Sequence, residues 1–111
     1  MAILNTSLQS TPTAISPALA SDSAVIVMFF CNTNPIDPFD PTNGKQHIDV
    51  YVVKNGEQPG STNIIAHQIP IDGSDTFTFN AERLVLNPGD QIYASATDND
   101  QISATTSYVI I

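Results

Sequence analysis

Turn-forming residues separate the short apolar runs of this sequence, and that spacing constrains the fold more than any other feature. In residues 82–94, "ERLVLNPGDQIYA", one apolar run ends in Asn-Pro-Gly-Asp and a second run begins at once. Pro88 presets φ at the second position of the turn, and Gly89 tolerates the positive φ that a type II turn requires at the third. The pattern predicts a hairpin in which the run at Leu84 folds back against the strand "QIYASAT".

The apolar residues between the turns recur at the spacing of β-strands. The run at 24–31, "AVIVMFFC", is apolar throughout, as in a strand that is covered on both faces. Residues 47–54 alternate instead, with Ile48 and Val50 on one side and Asp49 on the other. Turn signals spaced by about 8–12 residues predict an all-β fold, a jelly-roll-like antiparallel β-sandwich of seven to eight strands. Two packed sheets are expected because one sheet with a bare apolar face would be unstable.

Residues 1–23 differ in texture from the remainder of the chain. They are rich in Ser, Thr, Ala and Pro and show no sustained alternation, so we predict an extended N-terminal arm with one short strand, followed by a sandwich domain at 24–111. A disordered terminus is the alternative. It would leave five apolar residues with nothing to bury them: Ile3, Leu4, Leu8, Ile15 and Leu19.

Targeting signals are not predicted. The start "MAILNTSLQS" has no basic region followed by an apolar core, which is the mark of a secretory signal. No segment approaches the roughly 18 consecutive apolar residues of a membrane span. We therefore expect a protein that is made in a cytosol and either stays there or leaves as part of an assembly.

The charge balance excludes several classes of partner. The formal net charge is −8, and the cationic side chains are Lys45, Lys54 and Arg83. Nucleic-acid binding requires clustered Lys and Arg, and attraction to an anionic membrane requires the same, so neither partner is predicted. Only 13% of the residues are charged, against about 25% in an ordinary soluble domain. Such Thr- and Asn-rich chains are typical of extracellular or particle-surface β proteins.

The residues that could carry catalysis show no catalytic pattern. Cys31 is the single cysteine, so no intrachain disulfide can form, and packing in the core is its expected role. His47 and His67 have no Cys or Glu at metal-ligand spacing, and both are expected to be ordinary strand side chains. We predict no enzyme, no catalytic or cofactor-binding residue and no cofactor.

Two acidic turns raise the alternative of a calcium ion. One loop contains Asp37, Asp40 and Asn43, and a later turn contains Asp98 and Asp100. Hard cations need several carboxylate and carbonyl oxygens at once, but this spacing matches no calcium-binding motif. Asp is also favoured in turns because its side chain caps the local backbone. We therefore predict solvated turns and no metal site, with calcium binding left open.

Five segments combine into a pattern that covers most of residues 24–111. They are a strand that ends in Cys-Asn-Thr, a "YVVKNG" strand and turn, an "NIIAHQIPI" strand, the "ERLVLNPGD" hairpin and a final "TTSYVII" strand, at 31–33, 51–56, 63–71, 82–90 and 105–111. This pattern resembles a recurrent class of small β-sandwich virion proteins of tailed bacteriophages. Two features depart from the class: the loop "PIDPFDPTNGKQ" is longer, and Lys54 stands where a proline is common.

The resemblance implies a non-enzymatic structural protein that is present in many symmetric copies in a virion after synthesis in the host cytoplasm. A capsid cement or decoration protein is the favoured placement, with trimers expected at threefold positions. A neck, tail or baseplate component is the alternative. The implied partners are further copies of the chain and other virion proteins, such as the major capsid protein or neck and tail proteins. The longer loop would then be a contact loop.

Two other classes of function remain as alternatives. A carbohydrate- or receptor-binding module usually presents exposed aromatic platforms, but this chain has no Trp, and Tyr51, Tyr93 and Tyr108 all lie in predicted strands. A calcium-dependent adhesion domain would use the acidic turns.

Overall fold

Eight β-strands make up the regular structure of the described residues, which are 2–40 and 42–111 of this computed structural model, without the side chains of 81–83. None of these residues forms a helix long and apolar enough to cross a membrane. The predicted all-β fold is confirmed. The strands are β1 Ala2–Ser7, β2 Thr13–Ala14, β3 Ser23–Asn32, β4 Gln46–Val53, β5 Ile64–Ile71, β6 Thr76–Leu86, β7 Gln91–Ala96 and β8 Ile102–Ile110.

The strands form two four-stranded sheets with the orders β1-β8-β3-β6 and β2-β7-β4-β5. All pairs are antiparallel. The pairing is nested about the β4–β5 connection, since β3 pairs with β6, β2 with β7 and β1 with β8. This is the strand order of a jelly roll, in which a folded ribbon of four strand pairs is wrapped into a sandwich.

The segment 1–23, predicted as an arm, supplies two strands to the sandwich. β1 pairs with β8 and β2 with β7, and the side chains of Leu8 and Ile15 are completely buried. Leu8 and Ile15 therefore do enter the core, whereas Ile3 remains 65% exposed. Residues 2–23 and the rest of the described chain share one pair of sheets. Contact of this segment with a neighbouring subunit stays a prediction.

The central strand β3 has one covered and one uncovered face. Met28 and Phe30 are completely buried between the sheets, whereas Ile26 and Phe29 are each 40% exposed. The prediction that the whole run is covered on both faces is wrong within a single chain. The run is apolar on both sides, but the second sheet covers only one of them. A register shift between Val25 and Val27 changes which residues face inward.

The Asn-Pro-Gly-Asp turn has the predicted geometry but a different role. Asp90 N donates to Asn87 O over 3.0 Å, and Gly89 has a φ of 85°, as expected of a type II turn. The predicted hairpin is wrong, because Leu84 pairs with Val25 in one sheet while β7 lies in the other. Tight hairpins favour type I′ or II′ turns, whose twist matches that of paired strands. This turn instead carries the chain between sheets.

Candidate interaction surfaces

The outward side of the β1-β8-β3-β6 sheet is a nearly neutral surface. One row across it contains Asn5, Thr105, Phe29 and Thr78 in register, and Thr105 Oγ1 donates to Asn5 Oδ1 over 2.9 Å. We call the outward side chains of these four strands the neutral face. Together the four strands contain two charged residues, both in β6, and their side chains are outside the described set.

Several large apolar side chains of this sheet are exposed to solvent. Ile3 is 65% exposed, Val85 49% and Phe29 40%. These side chains are distributed over β1, β3 and β6, and large exposed apolar area on one face commonly marks a protein–protein contact. Cys31 also belongs to the neutral face, since its register partners are Thr76 and Ser103 and it is only half-buried. Its predicted core position is wrong because Phe30 and Asn32 take the inward positions on either side.

Acidic residues are concentrated at one end of the sandwich. The β3–β4, β5–β6 and β7–β8 connections meet there, as Ser74 N donates to Asn34 O (2.7 Å) and Thr33 N to Gln101 O (3.0 Å). Lys45 is at this end too, 3.4 Å from an Asp72 carboxylate oxygen. We call this region the acidic end, and its six acidic residues are Asp37, Asp40, Asp72, Asp75, Asp98 and Asp100.

The β3–β4 loop is braced by its own carboxylates. Asp37 accepts hydrogen bonds from the Asn43 side chain at 3.0 Å and from Phe39 N at 2.9 Å, and these hold its pKa below the ordinary value of 3.8. Asp40 accepts hydrogen bonds from the Thr42 hydroxyl and from the Thr42 N–H, and these lower its pKa, the hydroxyl more than the N–H. The braced loop presents an aromatic ring to solvent, since Phe39 is 96% exposed.

The β7–β8 turn holds the N-terminal segment in place. Asp100 Oδ1 accepts hydrogen bonds from Ser7 Oγ (3.0 Å) and Gln9 Nε2 (2.7 Å). Asp98 N donates to Gln46 Oε1, and Gln46 Nε2 donates back to Asp98 Oδ2. Both turn carboxylates thus have structural partners in other segments of the chain.

Neither acidic turn gathers a metal-ligand set. Asp37 and Asp40 turn their oxygens toward donors in their own loop, and Asp98 and Asp100 toward different segments. Among the described residues no group of three or more His, Cys, Asp or Glu side chains could hold a metal ion. Capping of the local backbone accounts for Asp37 and Asp40, as the sequence predicted.

A shallow groove lies on the outward side of the other sheet. It measures about 370 Å³ and is lined by Tyr51, Gly60, Ser61, Ile64 and His67. At its margin His67 Nδ1 lies 2.9 Å from Asp49 Oδ1, and the same oxygen accepts a hydrogen bond from Gln68 N. This groove is not predictable from the sequence, because the β4–β5 connection that forms one wall has no hydrophobic pattern of its own. His47 is half-buried and distant in register from the groove.

No protein-family model matches this chain, and no curated protein or solved structure is significantly similar to it. What is established is the class: a charge-poor, all-β sandwich with jelly-roll strand order.

Proposed function

We propose that this chain is a non-enzymatic structural protein of a bacteriophage virion and acts through contacts between protein subunits. The neutral face is the observation that carries the proposal. A chain with a formal net charge of −8 repels its own copies, and like charges placed opposite one another disfavour association. Exposed Ile3, Phe29 and Val85 on a face with few charges offer identical neighbours a place to meet.

The fold supports a particle role by analogy. Jelly rolls are common in viral capsid proteins and also occur in lectins and cupins, so the fold is compatible with a role in a particle and with other roles. The resemblance of residues 24–111 to small phage virion proteins points in the same direction. Within the virion, we favour a capsid cement or decoration protein over a neck, tail or baseplate component.

The acidic end supplies a second contact for that placement. Phe39 projects from a loop whose main chain is fixed by Asp37 and Asp40, so burying the ring against a partner loses little loop entropy. Six acidic residues lie at this end of the sandwich, which favours a basic partner surface. A capsid protein with a basic outer patch would meet both requirements.

Particles with and without this protein would test the proposal. The protein should be found in purified virions in symmetric copy number. Particles that lack it should assemble but burst sooner under heat or osmotic shock if it is a cement. Heads that fill but fail to attach tails would favour the neck placement. Absence of the chain from purified virions would overturn the virion role altogether.

The contact loop can be tested by adding purified variants back to deficient particles. Phe39→Ser should weaken binding to the particle because it removes the exposed ring. Ile111→Ser is the matched control, since Ile111 is 69% exposed and hydrogen-bonds to Asp22 O at the opposite end of the sandwich. Equal loss of binding in both variants would contradict docking through the acidic end.

The Tyr51 groove favours a second candidate, a carbohydrate- or receptor-binding module. Sugar sites combine an aromatic surface with nearby polar groups, and here Tyr51 lines a groove whose margin has the His67–Asp49 pair. Selective binding on a glycan array, lost in Tyr51→Ala and retained in Phe39→Ser at the acidic end, would support this candidate. Absence of binding across the array would remove it.

A further inference from the structure

The free edge of β1 exposes main-chain hydrogen-bonding groups. Leu8 N donates to Ile102 O over 2.9 Å, continuing the β1–β8 register, and hydrogen-bonded positions alternate along an antiparallel pair. The even-numbered residues Leu4 and Thr6 therefore bond to β8, and the N–H and C=O groups of Ile3 and Asn5 point away from the sheet. The Ser7 carbonyl also points outward, where it accepts Gln9 Nε2 at 3.3 Å.

The remaining sheet edges are protected against strand addition in ways that β1 is not. On β5, Pro70 lacks an N–H, Gln68 has a φ of 54°, and the register shifts twice against β4. β2 has only two residues. β6 is irregular, because its register against β3 shifts between Asn80 and Leu84, which pair with Val27 and Val25. β1 pairs without a register shift over Ala2–Ser7 and contains neither proline nor a charged residue.

We propose that β1 pairs antiparallel with β1 of a second copy of this chain, joining two four-stranded sheets into one eight-stranded sheet. The two-fold axis passes between the two copies at Leu4, so that Ile3 of each copy lies opposite Asn5 of the other. Ser7 is excluded from the pairing because its carbonyl is occupied by Gln9 and its hydroxyl by Asp100. The contact is isologous and closes on itself.

Electrostatic repulsion between copies is small at this edge. Each copy has a net charge of −8, and Asp100, beside Ser7, is the acidic residue hydrogen-bonded to β1. Ser7 is three residues from the axis, or about 10 Å at roughly 3.3 Å per residue. The two Asp100 carboxylates would therefore be held about 20 Å apart, beyond the screening length of about 8 Å at physiological salt. Exposed Ile3 and half-buried Leu4 would gain cover from the partner strand.

This pairing extends the proposed function, which needs contacts between copies, but it does not require a virion. It would join neighbouring copies whatever ring or trimer each belongs to. A failure of the pairing therefore leaves the virion proposal to its own test of particle content.

Sedimentation equilibrium of the full chain over a concentration series measures the association directly. We expect a dimer for the wild type. Asn5→Pro removes an outward N–H and leaves the β8 ladder intact, so it should weaken dimerisation by about tenfold or more. Ile3→Lys places a charge on the edge and should do the same. Ile65→Lys is the matched control on the edge strand β5, where Ile65 is 45% exposed, and should leave the dimer unchanged.

Amide hydrogen exchange identifies which edge is used. The amides of Ile3 and Asn5 should become protected only at concentrations where the dimer forms, while those of Leu4 and Thr6 should be protected at every concentration. A monomer at all concentrations would overturn the pairing. So would any oligomer in which the Ile3 and Asn5 amides exchange freely, or one that Ile65→Lys disrupts as strongly as Ile3→Lys.

Discussion

The side-chain amide of Asn32 donates a hydrogen bond to the main-chain carbonyl of Ile71 over 2.9 Å and so joins the ends of two strands that belong to different sheets. The same nitrogen donates to Gly44 O at 2.7 Å, and Asn32 Oδ1 accepts from Asn34 N at 3.0 Å. The residue is 1% exposed. One buried amide thus satisfies main-chain groups of the β3–β4 loop and of the end of β5, which meet at the acidic end.

Asn32→Ala should therefore destabilise the fold strongly. The substitution removes the Asn32 donor from the buried Ile71 carbonyl and the acceptor from Asn34 N, while Gly44 O keeps a hydrogen bond from Asn34 Nδ2. A lost partner costs about 1–3 kcal/mol for each group that water cannot reach. We expect a loss of about 2–4 kcal/mol in the free energy of unfolding, measured by urea denaturation. Asn43→Ala, in the exposed loop nearby, should cost less than about 0.5 kcal/mol. Similar losses in both variants would contradict this role of Asn32.

Two glycines with nearly the same backbone angle should respond differently to alanine. Gly56 has a φ of 87° with no atom near the position of an added Cβ, so Gly56→Ala should cost about 1–2 kcal/mol from backbone strain alone. Gly89 has a φ of 85°, and an added Cβ would collide with the Asn55 side chain. Gly89→Ala should therefore cost about 1–3 kcal/mol more, as overpacking does. Equal melting temperatures for the two variants would contradict the contact.

Thr106→Val should stabilise the protein. Thr106 Oγ1 is the one buried side-chain polar atom among the described residues that has no hydrogen-bond partner, and a buried group in this state costs about 1–3 kcal/mol. Valine keeps the β-branched shape, so we expect the melting temperature to rise by about 4 °C or more. Thr105→Val is the control, because its hydroxyl donates to Asn5 and faces outward. That variant should give no gain.

The conformation of the β3–β4 loop should depend on pH below the ordinary carboxyl pKa of 3.8. The pKa of Asp37 is lowered in the folded state, so its stabilising contribution is present above the ordinary value of 3.8 and is lost as the pH falls through the lower folded value. The amide proton of Phe39 reports this hydrogen bond, and its NMR titration should have a midpoint below 3.8.

Asn43→Ala provides the control for that titration. The Asn43 side chain is the largest cause of the lowered pKa of Asp37, so its removal should move the midpoint upward. An unchanged midpoint would contradict the assigned cause.

Local torsions were predictable from the sequence, and long-range partners were not. Pro88 and Gly89 define their turn through their own φ angles, which is why the turn is where the sequence puts it. Whether the following strand pairs with β6 or crosses to the other sheet depends on residues far away. The predicted hairpin failed at that step.

The predictions of which side chains face the core failed for a related reason. The alternation in β3 changes phase at the irregularity between Val25 and Val27, so a simple pattern cannot tell that Phe30 is inward and Cys31 outward. Asn32 gave no signal at all, since asparagine beside a Pro-rich loop usually indicates an exposed turn. Its burial follows from carbonyls supplied by Gly44 and Ile71, which only the assembled sandwich brings together.

The nested pairing of the strands also has a kinetic consequence. Ala2 pairs with Tyr108, so the outermost pair closes a loop of more than a hundred residues, and only β4 and β5 are near in sequence. Chains dominated by such distant pairings fold in roughly milliseconds to seconds, far more slowly than helical bundles. During translation β1 leaves the ribosome long before β8 exists. In a nascent chain β1 therefore has no pairing partner until β8 has been made. High expression levels or slow elongation should favour inclusion bodies, because unpaired strands aggregate.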